Sequence, residues 1–253
     1  MRLDRYVSMT AGVPRRQAGG VVRRGRVTVN GRRCTDPRAR VVLSTDVVTL
    51  DGVALRRPGH VTLMMNKPKG CISATKSQTH ETVLDHVPSE LYHAKLAPVG
   101  RLDKDTTGLL LLTTDGGLSH KLTHPKRKVE KVYVATLKAP LPQDAGERFA
   151  AGITLADGTR CRPAKLRRLG ELEVEVTLTE GRFHQVKRMI GAVDGHVTGL
   201  RRVRIGLLHL DSNLQEGEVR PLTEQEAQAL AAQVAIAEPA PDAPEDPPLP
   251  CPP

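Results

Sequence analysis

The sequence predicts an α+β protein in which a small, strongly basic domain precedes a larger domain built on a mostly antiparallel mixed sheet. Three observations support this prediction. Residues 1–57 hold thirteen arginines and four aspartates, a net charge of +9. The same residues change from helical to strand-like spacing near residue 25. The longer remainder mixes short β-rich runs with helical segments, which is typical of α+β domains.

The first region, residues 1–57, is expected to form two helices followed by a hairpin. The first helix is predicted from apolar residues at helical spacing, namely Leu3, Tyr6 and Val7. A second helix starts at Pro14 and stops at Gly25. Residues 26–29 then read as a strand that runs into Asn30-Gly31, and residues 41–50 as a β-rich stretch that ends at Asp51-Gly52. Both dipeptides are strong signals for hairpin turns.

Residues 58–60 are predicted to link this region to a larger domain that spans residues 61–235. Its strand-like runs are residues 61–65, 109–113, 132–137 and 172–178. The last segment, residues 236–253, holds eight of the nineteen prolines and lacks a strong apolar pattern. We therefore expect a disordered acidic tail there.

Charge and cysteine usage narrow the class of protein. The chain carries a net charge of +10 and has a pI near 9.8, which favours a polyanionic partner. Membrane insertion is not expected, because no apolar run approaches the roughly 20 residues that span a bilayer. Arg2, Asp4 and Arg5 lie where an export signal would be apolar. The four cysteines are widely separated, without metal-ligand spacing, so a reducing cytoplasm and no metal site are expected.

Aromatic residues are scarce, with two Phe, three Tyr and no Trp, so nucleic-acid recognition would depend mainly on charge and shape. Arginine grips phosphate bidentately. The alternative interpretation is that these side chains only solvate the surface. The candidate RNA-binding arginines of the first region are Arg5, Arg15, Arg16, Arg23 and Arg24.

The segment from Gly100 to Leu112 is the most informative motif of the larger domain. Polar residues lie between Gly100 and Gly108, and a buried-strand pattern follows at once. This arrangement predicts a tight loop that presents Asp103 at the edge of a sheet. From the residues alone, Asp103 is either a turn-capping residue or a catalyst, and the turn-capping role is the commoner of the two.

Four ordered blocks resemble the RsuA branch of the pseudouridine synthases. They are Met65 to Gly70 (MNKPKG), Gly100 to Leu112, Glu130 to Tyr133 (EKVY) and Glu180 to Met189 (EGRFHQVKRM). The first region resembles the alpha-L RNA-binding fold of the ribosomal protein S4 type. The resemblance covers the whole chain except the proline-rich tail. It implies an S4-type fold for the first region and a pseudouridine synthase fold for the larger domain.

The resemblance implies an isomerase that detaches uracil from ribose at N1 and rejoins it at C5. No group is added and no net redox change occurs, so no cofactor or metal is expected. Asp103 would be the catalytic carboxylate, and Lys187 would keep it ionised. Tyr133 would stack on the extracted base, and Arg101 would contact phosphates or fill the space left by the flipped nucleotide.

The other substrate-binding candidates in this domain are Asn66, Lys67, Arg182, Gln185 and Arg188. His124 and His184 are interpreted as RNA-contact or structural residues. Within the branch, the enzymes of the small ribosomal subunit are most similar in three segments taken together, namely His184 to Met189 (HQVKRM), Ser119 to Thr123 and Glu130 to Tyr133. The expected partner is therefore 16S ribosomal RNA, at a uridine 516 type site, within a small-subunit assembly intermediate, and the chain is expected to be a monomer.

Three alternatives stay open on the sequence. The same chemistry would serve a 23S ribosomal RNA. A non-catalytic RNA-binding or ribosome-assembly factor would use the basic first region alone. A hydrolase would use Asp103 and Asp105 as a carboxylate pair, which we consider disfavoured because it would release uracil or cut the strand.

Overall fold

The computed structural model describes residues 1–11, 13–42, 45–55 and 60–236. The chain forms two compact units, residues 1–60 and residues from 61 onward. Most of the predicted linker and tail lies outside the described residues. No helix in the described part of the chain is both long enough and apolar enough to cross a membrane.

The described residues of the first unit form two helices, as predicted, and a four-stranded sheet, where the sequence predicted a hairpin. Its elements are α1 (Leu3–Thr10), α2 (Arg15–Arg23), β1 (Val27–Val29), β2 (Arg32–Arg33), β3 (Val48–Leu50) and β4 (Val53–Ala54). The strands lie in the order β2-β1-β3-β4, and the neighbouring strands are antiparallel. The buried core is formed by Leu3, Tyr6, Val7, Ala18, Val22, Val27, Val41 and Val48.

Local sequence signals explain the turns of this unit. Asn30 and Gly31 both have positive φ angles, as do Asp51 and Gly52, and this backbone matches the twist of a two-residue hairpin. The β-rich stretch predicted over residues 41–50 is a strand only from Val48 to Leu50 among its described residues. Before this strand, the Asp46 carboxylate accepts the amide of Val42, and the carbonyl oxygen of Val47 accepts the amide of Asn30.

The second unit is built on a nine-stranded mixed sheet. Its strands are β5 (Thr62–Lys67), β6 (Ala97–Pro98), β7 (Thr107–Thr113), β8 (Lys131–Leu137), β9 (Lys165–Arg168), β10 (Glu173–Leu178), β11 (Val197–Ile205), β12 (Leu208–His209) and β13 (Val219–Pro221). The main path is β13-β5-β7-β11-β8-β10-β9, while β6 pairs with β7 and β12 with β11. Strands β7 and β11 are parallel, and the other described pairs are antiparallel, so the predicted fold class is confirmed.

Four helices cover the sheet: α3 (Gly116–Thr123), α4 (Ala145–Ala151), α5 (Gln185–Gly191) and α6 (Glu224–Ile236). Every residue of β7 is buried, because apolar clusters lie on both of its faces. Leu110 and Leu112 point into one cluster, and Leu109 and Leu111 into another. This alternation explains the uninterrupted leucine run, since a strand that is covered on both faces has no solvated side.

Candidate active site

The loop between β6 and β7 carries Asp103. It is bounded by Gly100 and Gly108, whose φ angles are +72° and +98°. A Cβ atom at Gly108 would lie 2.2 Å from the carbonyl oxygen of Arg202 on β11, so a side chain there requires the backbone to shift. The amide of Thr106 donates to the carbonyl oxygen of Asp103 over 3.1 Å and closes a turn. The Asp103 carboxylate is therefore held at a defined point where β7 begins.

A buried lysine supports this loop from beneath. Lys67 at the end of β5 is 0% exposed, and its Nζ atom donates to the carbonyl oxygens of Pro68 at 2.9 Å and Thr106 at 3.0 Å. Burial lowers the pKa of Lys67, while nearby acidic groups oppose that shift. These hydrogen bonds tie the Asp103 loop to the sheet, which makes Lys67 a residue that positions this loop.

The direct RNA contacts predicted for Asn66 and Lys67 are contradicted by their burial. Asn66 is 2% exposed, and its Nδ2 atom donates to the carbonyl oxygen of Leu214 over 2.7 Å. Both residues lie on an interior strand of the sheet, where Asn66 Nδ2 and Lys67 Nζ donate to backbone carbonyl oxygens of neighbouring segments. They shape the site from inside the domain.

The Asp103 carboxylate faces two basic side chains. The Nζ atom of Lys187 lies 3.4 Å from Asp103 Oδ2, and the Nε2 atom of His184 lies 3.6 Å from Asp103 Oδ1. The structure thus brings together the predicted pair of Asp103 and Lys187. Lys187 also donates to Asp105 Oδ1 over 2.5 Å, and this hydrogen bond lowers the pKa of Asp105. One ammonium group therefore serves two carboxylates, an arrangement that the sequence did not reveal.

A cavity of about 380 Å³ opens beside Asp103, a size suited to a small ligand or an extruded nucleotide. Its wall combines the Asp103 loop, strands β8 and β11, and the segment that leads into α5. The lining residues that carry a charge, an aromatic ring or a side-chain amide are Arg101, Asp103, Lys131, Tyr133, Arg182, Phe183, His184, Gln185 and Arg202. The predicted catalytic residues Asp103 and Tyr133 thus line one cavity.

Tyr133 lies on β8, half-buried, with its ring packed against two apolar clusters of the domain. Lys131 precedes it by two residues and therefore points to the same face of the strand. Arg202 on β11 stands directly opposite Tyr133 in the antiparallel register. A ring that could stack on a base thus has two cationic side chains on its own sheet face.

Lys131 and Arg202 are cavity residues that the sequence analysis missed. Lys131 is 9% exposed, and burial followed by the charge of Arg202 lowers its pKa to about 8. No ion-pair partner for the Lys131 ammonium occurs among the described residues. Arg202 is 4% exposed and donates from Nε to the carbonyl oxygen of Leu109 over 2.8 Å. The spacing Lys-x-Tyr on a predicted strand was the signal that could have identified Lys131.

The block that leads into α5 is organised by a buried carboxylate. Glu180 is 6% exposed and accepts from the Gln185 Nε2 atom over 2.7 Å. It also accepts from the Arg162 amide at 2.9 Å and the Arg182 Nε atom at 3.3 Å. Gln185 was predicted to bind substrate, but its amide is 4% exposed and bonds within this network. Its main contribution is to hold the cavity wall.

The remaining predicted arginines of this domain differ in position. Arg101 and Arg182 are exposed and line the cavity. Arg188 forms an ion pair with Asp157 at 2.5 Å and does not line the cavity. His124 accepts the Lys126 amide through Nδ1 at 3.2 Å, in a structural role.

In the first unit, the five arginines predicted to bind RNA are all exposed: Arg5, Arg15, Arg16, Arg23 and Arg24. A surface depression gathers Arg15, Arg16 and Arg23 with further basic residues. The largely buried Asp4 carboxylate accepts from Arg2 at 2.7 Å and from Arg15 at 3.3 Å. Asp4 therefore holds two of these guanidinium groups in place, which suits a surface that receives phosphates.

Comparison with known protein families gives two matches. Residues 61–192 match the model described as RNA pseudouridylate synthase, and residues 1–48 match the S4 domain. The first of these matches includes the Asp103 loop, Tyr133 and Lys187.

Individual proteins match over nearly their whole length. The chain is 41% identical over 227 residues to ribosomal small subunit pseudouridine synthase A of Escherichia coli strain K12, covering 89% of this chain and 98% of that protein. It is 38% identical to the protein of the same name from Haemophilus influenzae, covering 91% and 99%. A crystal structure of a pseudouridylate synthase matches with a TM-score of 0.64 at 37% identity, again covering 91% and 99%.

Proposed function

Because the chain belongs to the RNA pseudouridylate synthase family and carries an S4 domain, we propose that it isomerises one uridine of 16S ribosomal RNA to pseudouridine. The target would be a uridine 516 type site. The observation that carries the proposal is the position of Asp103. Its carboxylate lies at a cavity wall, 3.4 Å from Lys187 Nζ, in the same cavity that Tyr133 lines.

The reaction begins when the target uridine leaves the RNA stack and enters the cavity. Arg101 and Arg182 at the cavity wall hold the flanking phosphates, and Arg101 fills the space that the extruded nucleotide leaves. Tyr133 stacks on the uracil ring. Because the cavity wall provides these contacts only to an extruded nucleotide, paired uridines are not attacked.

The chemistry needs an ionised carboxylate next to the extruded nucleotide. The Lys187 ammonium, with its Nζ atom 3.4 Å from Asp103 Oδ2, offsets the negative charge of this carboxylate in the cavity wall. Asp103 then forms a covalent adduct or removes a proton, the bond from N1 to C1′ breaks, and the base rotates. C5 then joins C1′, the proton on C5 is lost, and N1 gains a proton. The isomerisation therefore needs no cofactor. The Tyr133 hydroxyl assists proton removal at C5.

The first unit supplies affinity for the RNA. Residues 1–57 carry a net charge of +9, and exposed arginines form a surface suited to phosphates. We assign RNA capture to this region and catalysis to residues 61–235. The substrate would be 16S ribosomal RNA in a small-subunit assembly intermediate, met by a monomeric protein in the cytoplasm.

Pseudouridine mapping in ribosomal RNA from cells with and without this protein tests the proposal. We expect one pseudouridine of 16S ribosomal RNA to disappear and to return when the gene is restored. Loss of a pseudouridine from 23S ribosomal RNA would instead mean that the substrate is the RNA of the large subunit. An unchanged pattern in both RNAs would instead favour a non-catalytic RNA-binding factor.

A further inference from the structure

We propose that Phe183 and His184 form a stacking site for the base next to the target uridine, at the mouth of the catalytic cavity. This inference rests on the proposed function. Phe183 is 71% exposed, although the other phenylalanine of the chain, Phe149, is 0% exposed in the core. Exposure of one apolar side chain is ordinary in itself. The geometry around Phe183 is what distinguishes it.

The two rings already form a stack. Their centroids are 3.8 Å apart and their planes differ by 19°. His184 carries this stack with a left-handed backbone, φ 48° and ψ 33°, which is uncommon for a residue other than glycine. Such conformations concentrate at functional sites. His184 also reaches Asp103, with 3.6 Å between Nε2 and Oδ1, so the stack is connected to the catalytic carboxylate.

The surroundings indicate which ligand the exposed ring receives. Phe183 lines the same cavity as Asp103, between the exposed Arg182 and the half-buried His184, with Arg101 in the same wall. When a uridine enters this cavity, its two neighbours in the strand stay at the mouth. A base offers a flat face to the ring while its phosphate meets the arginines. Base-aromatic stacking contributes about 1–3 kcal/mol per base.

A double perturbation of protein and RNA tests this site. The substrate is 16S RNA that is ligated from synthetic and transcribed pieces and then assembled into the particle that supports activity. The full-length protein is assayed on this substrate. We expect Phe183→Ala to raise KM about 5- to 150-fold, the range that corresponds to the stacking energy, while kcat changes little. Phe183→Tyr should restore KM. Leu172→Ala, which truncates another exposed apolar side chain at 43% exposure, is the matched control.

The RNA arm removes one neighbouring base at a time, with an abasic residue placed 5′ or 3′ of the target. At one of these positions the wild-type and Phe183→Ala proteins should become equal within about twofold, because the contact is already gone. If Phe183→Ala loses the same factor on both abasic RNAs, or nothing on intact RNA, the stacking site is refuted. Absence of pseudouridine with wild-type protein would instead refute the proposed function.

The cavity wall also contains a buried lysine, Lys131, whose charge bears on the charge of the uracil base. We infer that Lys131 supplies the positive charge that offsets the negative charge developing on uracil during the reaction. Heterolysis of the N1 to C1′ bond leaves the bonding electron pair on the base, and attack of a carboxylate at C6 also makes the base anionic. The requirement is therefore the same for either role of Asp103.

The placement of Lys131 suits this role. Its ammonium shares a sheet face with Tyr133, lines the cavity and has no ion-pair partner among the described residues. An unpaired buried cation destabilises the fold. Arg202 beside it adds a second positive charge, with an Nη2 atom that has no hydrogen-bond partner within the described chain. A preorganised cation at the point where negative charge develops lowers the barrier to reaction.

Single-turnover kinetics on saturating 16S substrate separate this role from binding. We expect Lys131→Met to lower the rate constant about 10²- to 10³-fold with an unchanged Kd for the RNA. Lys131→Arg should retain more activity than Lys131→Met, because the charge persists. A Lys131→Met protein with the wild-type rate constant would refute the inference, as would a loss that appears only in Kd.

Discussion

Replacing Lys131 by methionine is expected to stabilise the protein while it slows the reaction. The pKa of this lysine falls from 10.5 to about 8 in the folded state, because burial and the charge of Arg202 disfavour the ammonium. At neutral pH Lys131 is therefore protonated in both states, but the folded protein binds this proton more weakly than the unfolded chain does. Methionine has a similar length and needs no proton, so this cost disappears.

The magnitude follows from linkage between protonation and folding. With pKa values of 10.5 unfolded and about 8 folded, the charge destabilises the fold at pH 7 by about 3 kcal/mol. The unfolded chain binds more protons between these two values, so stability rises as the pH increases through this window. At pH 9.5 the cost falls to about 1 kcal/mol. The advantage of Lys131→Met should thus shrink by about 2 kcal/mol between pH 7 and pH 9.5.

Urea unfolding of wild type and variant at both pH values measures this difference. Any change in apolar packing that methionine introduces is independent of pH and cancels in the comparison. Lys138→Met, which replaces an exposed lysine just beyond the same strand, should show no such pH dependence. A difference between Lys131→Met and wild type that stays constant from pH 7 to pH 9.5 would refute the reasoning, as would a variant that is less stable at pH 7.

Three further outcomes are expected. Gly108→Ala should lower the free energy of unfolding by about 1–3 kcal/mol and reduce activity, because its Cβ would meet the backbone of Arg202 at 2.2 Å; an alanine protein with the wild-type urea midpoint would contradict this. The hydrogen bond from Arg220 lowers the pKa of Glu226 to about 2, so its stabilisation holds above pH 4.5 and is lost as the pH falls through 2. Glu226→Gln should therefore destabilise the protein at pH 6 and matter less near pH 2, as acid-unfolding curves would reveal. Changing Arg16 and Arg24 together to glutamine should weaken RNA binding and reduce the slope of log K against log salt by about 1 to 2, and equal slopes would remove their role in phosphate contact.

Features that depend on neighbouring residues were predictable from the sequence. The Asn30-Gly31 and Asp51-Gly52 turns form as expected, because positive φ angles at both positions are a local preference of these residue types. The leucine run of β7 is buried on both faces, as its pattern indicated. Asp103, Tyr133 and Lys187 were identified through a resemblance, and their positions in the structure agree with a shared site.

Features that depend on long-range pairing were not predictable. Lysine is rarely buried, so nothing in the sequence indicated that Lys67 would lie inside the domain with its ammonium bonded to carbonyls 1 and 39 residues away. The arginine-rich strand β11 was not predicted, because its charged residues mask the sequence pattern of a strand that pairs with β7 and β8. Lys131 was overlooked for a similar reason. Its burial follows from the register of β8 in the sheet and not from its own chemistry.

The most direct test is the Asp103→Asn protein, assayed in parallel for binding of 16S RNA and for pseudouridine formation by chemical tagging. The substitution removes the negative charge with little change in shape, and Asp144→Asn at an exposed position before α4 is the matched control. We expect Asp103→Asn to bind RNA with the wild-type Kd and to form pseudouridine about 10³-fold or more slowly. Pseudouridine formation at a normal rate would contradict the assignment of Asp103 as the catalytic carboxylate.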